Sequence, residues 1–360
     1  MILAFALALL LSIIITRILI SVAHKFNILD DPKSDPDRKI QKKPIPLLGG
    51  LSIFLSFNIV VLIYSKFLTE GYLLPKHLWG VFLGGLVLMI GGILDDKYDL
   101  KPKVQLLFPI FSGIIIVCSG IGIEYITNPL GGQFNLDSIK VTLFQLNSLP
   151  YQIILIADLF TFLWLLGMMY TTKLLDGLDG LVSGVTTIGA FIIFFLSLSQ
   201  DVYQPETATL AIILAGAVLG FFLFNFHPAK VYLGEGGSLF CGFMLGTLAI
   251  ISGGKIATAL LIMGIPILDV FWVIIRRVFF DKKSLAKADS KHLHYRLLDI
   301  GLSHRQSVLL LIIISLIFGL SSLFLTSSGK LWAFIVLCVV MVFLMGVIYF
   351  KYKKNEKSSH

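Results

Sequence analysis

A single all-α bundle of about eleven membrane-spanning helices, N-terminus outside and C-terminus inside, is the fold class this sequence predicts. Three observations predict it: the composition, the spacing of the apolar runs and the distribution of basic residues. Of 360 residues, 57% are hydrophobic and 14% charged, and the mean hydropathy is +0.92. A soluble domain is about 45–50% apolar and about 25% charged, so this composition places the chain in a bilayer.

Apolar runs lie near 1–23, 46–65, 78–94, 104–123, 151–170, 180–199, 207–226, 237–252, 256–275, 306–326 and 331–350. Each approaches the roughly 17 to 25 residues with which a helix crosses about 30 Å of hydrocarbon. The first run, "MILAFALALLLSIIITRILISVA", is too long for a signal-peptide core and lacks an A-x-A-like cleavage site, so it reads as a retained span. The runs at 237–252 and 256–275 are parted only by "SGGK". Between spans, 124–150 alternates weakly around "FNLDSIKVTLF", which predicts a short hairpin or interfacial piece. Cys118, Cys241 and Cys338 sit in apolar runs without a C-x-x-C pair, so neither a disulfide framework nor a zinc site follows. The reading is one integral membrane domain over 1–350 and a basic cytoplasmic tail over 351–360.

Charge fixes the orientation. With the N-terminus outside, the inside segments hold 23 of the 29 Lys and Arg; the outside holds Lys66, Lys76, Lys140, Lys255 and Lys330, and Arg17 lies within the first span. That asymmetry follows the positive-inside rule. The formal net charge of +8 is then a basic cytoplasmic face turned to anionic lipid, with no nucleic-acid module.

The same orientation gathers the acids. Asp95, Asp96 and Asp99 in "GGILDDKYDLKPK" end the third run, Asp176 and Asp179 in "KLLDGLDGL" end the fifth, and Glu235 in "NFHPAKVYLGEGGS" follows the seventh. A lone acid at a helix end is ordinarily a cap or a solvated interface residue. Six from three non-adjacent loops on one face repel unless cations hold them, which points to a shared site. Asp95 and Asp99 are i, i+4 and Asp176 and Asp179 are i, i+3, so each pair shares a face wherever the backbone is helical. Hard oxygen ligands at this density suit Mg²⁺, which takes one or two carboxylates with water and substrate phosphates. Gly234, Gly236 and Gly237 precede a span whose free N–H groups can receive an anion, although glycine also serves helix packing.

Cations come from two basic loops. In "DSKHLHYRLLDIGLSHRQ", His292, His294 and Arg296 alternate as H-x-H-x-R and can donate to phosphate oxygens. Two histidines so spaced could bind zinc, but a third ligand at suitable spacing is missing, which favours phosphate. His304 and Arg305 read as interface anchors, and Lys42 and Lys43 stand before the second run.

Together, "LDDKYD", "LLDGLDGLVSG", "FNFHPAKVYLGEGGS" and "DSKHLHYRLLDIGLSHRQ" resemble the polyprenyl-phosphate N-acetylhexosamine-1-phosphate transferases, a family that includes the phospho-MurNAc-pentapeptide translocase. The resemblance runs from about residue 25 to 310, in order. "HLHYR" followed by "GLSHRQ" is similar to the N-acetylglucosamine branch and lacks the translocase's triple histidine. The resemblance implies transfer of a sugar 1-phosphate from a UDP-N-acetylhexosamine to undecaprenyl phosphate at the cytoplasmic face of a bacterial inner membrane, with Mg²⁺ or Mn²⁺, to start a cell-envelope glycan. It implies that Asp95, Asp96 and Lys103 are catalytic and that Asp96 and Glu235 hold metal. Lys43, Lys173, Asp176, Asp179, Asn225 and Tyr232 become substrate-binding, with Tyr232 against uracil, and His292, His294 and Arg296 hold phosphate. A lipid phosphate is mostly dianionic near neutrality, its second pKa being about 6, so positioning and metal-linked roles for Asp95 and Asp96 come before proton acceptance. A homodimer is a further partner considered.

Two positions depart from the family pattern: Lys173 stands where most members have Asn and Glu235 where they have Asp, and Gln41 replaces a usual histidine. Two other classes compete. An inactive membrane scaffold of the same fold is motivated by Lys173 and Glu235. A secondary transporter would place its ionisable groups near mid-membrane with an inverted repeat, and neither is evident.

Overall fold

The computed structural model describes the chain except residues 33–40, 42, 130, 147–148, 254, 281–291 and 359–360, with side chains also left out at 143–151, 280 and 352–358. Lys42 and part of the last basic loop therefore lie outside the described residues. The helices are α1 (Ile2–Phe26), α2 (Gly49–Ile63), α3 (Ser65–Leu68), α4 (Pro75–Tyr98), α5 (Pro102–Gln105), α6 (Leu107–Cys118), α7 (Leu155–Leu175) and α8 (Leu181–Ser197). Then follow α9 (Pro205–Asn225), α10 (Gly234–Ile251), α11 (Ile256–Ile262), α12 (Gly264–Ile275), α13 (Leu293–Asp299), α14 (His304–Phe324) and α15 (Ser327–Ser358). An all-α bundle is what an apolar chain requires, because a helix pairs its backbone polar groups within the segment.

Each expected apolar run falls on a helix or helix pair, but their lengths differ from expectation. Seven helices are long and apolar enough to cross a membrane: α1, α4, α7, α9, α10, α14 and α15. The pair α11 and α12, bent by 79° at their break, makes an eighth if counted as one span. The other three runs form shorter apolar helices, Gly49–Ile63, Pro102–Cys118 and Leu181–Ser197. At 1.5 Å per residue the 15-residue α2 is about 22 Å long, less than the hydrocarbon thickness. Hydropathy sees apolar length, whereas the helix ends are set by turns and caps.

Burial identifies the middle of the bundle. Of the most apolar stretch of α10, 83% is buried, and 78% of that of α9, against 17% for α15. α10 packs on α2, α4, α7 and α8, while α1 lies along α9 and α14 against α8. Glycines permit the closest approaches: a Cβ on Gly50 would lie 2.1 Å from Gly237, and one on Gly92 would lie 2.1 Å from the Gly236 nitrogen. The start of α10 thus meets α2 and α4 backbone to backbone, one turn from Asp95 and Asp96. Buried hydroxyls join helices: Ser12 Oγ donates to the Ala217 carbonyl at 2.6 Å and Thr16 Oγ1 to Ser52 Oγ at 2.9 Å. Leu62, Trp79, Phe324 and Phe343 point outward, as a lipid-facing surface allows.

Short antiparallel hairpins complete the chain. β1 (Leu29–Asp30) pairs with β2 (Ile45–Pro46). Where one hairpin or interfacial piece was expected, β3 (Tyr125–Thr127) pairs with β4 (Gln133–Asn135) and β5 (Lys140–Leu146) with β6 (Leu149–Ile154).

Candidate active site

The C-terminal ends of α4, α7 and α9 and the N-terminal starts of α8, α10 and α14 meet through side-chain bonds at one end of the bundle. α4 stops at Asp99, whose left-handed φ of 49° turns the chain while its N–H bonds the Asp95 carbonyl at 2.8 Å. Asp95 and Asp99 therefore do not share a helical face, and Asp99 is exposed. Asp95 Oδ1 accepts instead from the Leu100 N–H at 2.9 Å and Gln105 Nε2 at 2.8 Å. Gln105 Oε1 accepts from Lys173 Nζ at 3.3 Å, and the same ammonium pairs with Glu235. Asp96 Oδ1 accepts from the Glu235 N–H at 3.0 Å. Its other oxygen faces Gly234, where φ is +72° and a Cβ would come within 2.4 Å, so only glycine lets α10 start against this carboxylate. Asp95, Asp96, Gln105, Lys173 and Glu235 form one network, in which Lys173 pairs directly with Glu235, reaches Asp95 through Gln105 and is linked to Asp96 through the Glu235 backbone.

Asp176 adds a fourth carboxylate at the end of α7. Water reaches its side chain, but the surrounding protein desolvates it and the Glu235 and Asp179 carboxylates repel its charge, raising its pKa to about 7. Asp176 and Asp179 lie in the turn between α7 and α8 rather than on one helical face.

The other half of the site is built on that turn. Asp179 Oδ2 lies 2.7 Å from His227 Nδ1 and accepts from the Ala229 N–H at 3.1 Å, while the Asp179 N–H donates to His304 Nε2 at 2.8 Å. The two histidine rings stack with centroids 4.1 Å apart. Asn225, buried at the end of α9, accepts from the Gly180 N–H at 3.1 Å and Ser183 Oγ at 2.7 Å and donates to the Val231 carbonyl at 3.0 Å. It clamps the start of α8 to the loop carrying Tyr232, whose backbone bridges Pro46 and Gly49. Burial and then the Asp179 charge push the Tyr232 phenol upward, so it stays protonated.

His292 and His294 are buried, 5% and 1% exposed, with rings parallel at 5°. Burial, with His292 and His304 nearby, lowers His294 to about 3, so its ring is neutral at pH 7. Arg296 is partly exposed, and Lys43 and Lys103 are exposed and make none of these bonds. The sequence reading missed Gln105, His227 and Asp269, of which Asp269 carried a signal, an acid inside an apolar run. His304 and Arg305 are not mere interface anchors: one accepts from Asp179, and Arg305 Nε donates to the His227 carbonyl at 3.1 Å.

Among the described residues, one group brings three ligand atoms together as a cation needs. Asp179, His227 and His304 bring one ligand atom each within 4.8 Å of one another, although His304 Nε2 is already engaged by the Asp179 N–H. Among Asp96, Asp176 and Glu235 the donors are hard oxygens, and among the described residues the Asp176 carboxylate accepts no hydrogen bond. Their chemistry is that of the donors a small oxygen-loving dication takes, but their ligand atoms do not gather as those of the first group do, and Lys173 already takes one face of Glu235.

A family model described as glycosyl transferase family 4 matches residues 78–253. A Bacillus subtilis protein named a probable undecaprenyl-phosphate N-acetylglucosaminyl 1-phosphate transferase is 32% identical over 351 residues, covering 96% of this chain and 90% of its own. A Mycolicibacterium smegmatis decaprenyl-phosphate N-acetylglucosaminephosphotransferase is 30% identical over 300 residues, with 76% of this chain and 70% of its own covered. A Prochlorococcus marinus phospho-N-acetylmuramoyl-pentapeptide-transferase is 30% identical over 284 residues, with 75% and 73% covered. The acids, the clamp around Asn225 and the histidines of this site lie in a chain that belongs to glycosyl transferase family 4.

Proposed function

We propose that this chain transfers N-acetylglucosamine 1-phosphate from UDP-N-acetylglucosamine to undecaprenyl phosphate, starting a lipid-linked cell-envelope glycan. A lipid phosphate oxygen attacks the sugar-bearing phosphorus, the bond to the bridging oxygen breaks, and UMP leaves with that oxygen. The observation that carries the reading is the network of Asp95, Asp96 and Glu235 on Lys173, joined through the Asp176 turn to the Asp179, Asn225 and Tyr232 group. Relatives named for this transfer cover most of the chain.

The residues divide the work. Asp179, Asn225, Tyr232 and Lys43 receive the nucleoside, with the protonated phenol face-on to uracil. Lys173 and Asp176 stand where the pyrophosphate passes, and Lys103, Arg296, His292 and His294 serve the phosphate oxygens and the loop that carries them. Asp95 and Asp96 orient the attacking lipid phosphate. Asp96 and Glu235 would hold Mg²⁺, or Mn²⁺, which when bound neutralises phosphate charge. Lys173 supplies a tethered positive charge to the same carboxylates and competes for Glu235, so dependence on the dication is retained but weakened.

The proposal includes eleven spans, the three short helices included, forming one catalytic domain over 1–350 with a basic tail over 351–360. The N-terminus is then outside and the site lies on the cytoplasmic face of the inner membrane, as the basic-loop asymmetry requires. A homodimer would leave the site intact, because every residue named here comes from one chain. Purified protein in detergent, given undecaprenyl phosphate and a panel of UDP-sugars labelled in the sugar, should make organic-extractable product with UDP-N-acetylglucosamine first. Preference for another UDP-sugar would correct the donor, and product from none would remove the activity.

A further inference from the structure

α12 reads "GIPILDVFWVII", and its one ionisable residue, Asp269, is 4% exposed. A carboxylate in such surroundings is costly unless it is fully partnered. Asp269 is: Oδ2 lies 2.8 Å from His292 Nδ1, and Oδ1 accepts from the Leu293 N–H at 2.9 Å. Both partners open α13, whose N-cap residue, His292, makes no side-chain cap of its own. An aspartate on another helix therefore caps α13 and orients its first imidazole.

The contacts continue into the turn between α7 and α8. The His292 ring lies parallel to that of His294, with centroids 5.7 Å apart. Among the described residues His294 Nε2 has no hydrogen-bond partner, and it points at Gly177, where a Cβ would come within 2.2 Å. Gly177 stands between Asp176 and Asp179. A path of direct contacts thus runs from Asp269 through two histidines to the turn that carries two site acids.

We propose that Asp269 is a positioning residue of the transfer site: it fixes the tautomer and direction of His292 and seats the H-x-H segment against the Asp176–Asp179 turn without touching substrate. This rests on the transferase reading. The carboxylate matters because it accepts at both oxygens. His292 then donates from Nδ1 and keeps Nε2 as an acceptor. Asparagine has the same shape and can keep the cap on Leu293, but its NH₂ turned toward Nδ1 demands the opposite tautomer.

The test begins with UMP release by the wild-type full chain, whose absence would count against the transferase reading and not against Asp269. With wild type active, kcat, KM for both substrates and apparent unfolding temperature are measured for Asp269→Asn, Asp269→Glu, His292→Asn and Asp269→Asn with His292→Asn. Asp269→Asn should lose about 10- to 100-fold in kcat, the scale seen when the partner orienting a functional imidazole is changed. Its unfolding temperature should hold, Asp269→Glu should recover part of the rate, and the double variant should be no slower than His292→Asn alone. Activity of Asp269→Asn within about threefold of wild type, or losses at 269 and 292 that multiply independently, would overturn the proposal. Should Asp269→Asn also lower the unfolding temperature, His292→Asn decides, because it leaves the Asp269 cap on Leu293 in place: a comparable loss of kcat supports the role and wild-type kcat overturns it.

Discussion

Two neighbouring groups of acids are held in opposite ways. Around Asp95, Asp96 and Glu235 the partners include one ammonium, Lys173, with an amide and backbone N–H groups, so three acids there meet one cationic side chain. Asp179 is instead wrapped by His227, the Ala229 N–H and, through its own N–H, His304. The first arrangement is short of cationic partners. In the second, Oδ2 alone takes both partners, and Oδ1 accepts no hydrogen bond among the described residues. Carboxylates at the ends of apolar runs therefore differ in what their neighbours leave unpaired, and the proposed division between chemistry and recognition rests on that difference.

The largest expected effect is on the charge-deficient group. Asp96→Asn keeps the acceptor for the Glu235 N–H but removes the charge, and transfer should fall by about 10²-fold or more with normal membrane insertion. A loss of only a few-fold, measured as product per milligram of inserted protein, would show that the Asp96 charge is incidental. On the other side, His227→Ala removes one of the two partners of Asp179 Oδ2 and should raise KM for the UDP-sugar about tenfold with a smaller change in kcat. A fall in kcat at unchanged KM would move Asp179 from recognition to chemistry.

A subtler change lies in the lysine. Lys173→Asn with Glu235→Asp removes the tethered cation, and the Mg²⁺ concentration for half-maximal activity should drop several-fold, about 1 kcal/mol at the site. An unchanged requirement, or full wild-type activity in chelator, would show that Lys173 does not compete for Glu235.

A last effect, silent at neutral pH, is on stability. His294 is neutral in the fold because its pKa is depressed to about 3 from 6.5. Below pH 6.5 the unfolded chain takes up a proton that the fold refuses, so this contribution is complete above 6.5 and is lost as pH falls toward 3. The apparent unfolding temperature should decline over that window and decline less in His294→Gln. Parallel curves would mean that the imidazole is not held neutral.

Much of this was legible in the residues. Apolar runs marked where helices lie, and acids at run ends marked the site, because charge and hydropathy are local properties. Helix length was not, since α2 and α8 end by turn geometry within longer apolar stretches. Partnership across the chain was not either. Lys173 and Glu235 are 62 residues apart and Asp179 and His304 are 125 apart, and no local pattern says which acid meets which cation. His292 and His294 read as donors to phosphate oxygens from their alternation, yet both are buried, with α13 against α14 and α15.

The most direct measurement follows the phosphorus. Purified protein is given undecaprenyl phosphate and UDP-N-acetylglucosamine carrying ³²P in the sugar-bearing phosphate. Transfer of sugar 1-phosphate predicts label in the lipid fraction and UMP in the aqueous phase, in equal amounts. Label leaving as UDP, or no nucleotide released while the same protein remains folded and membrane-inserted, would contradict the account.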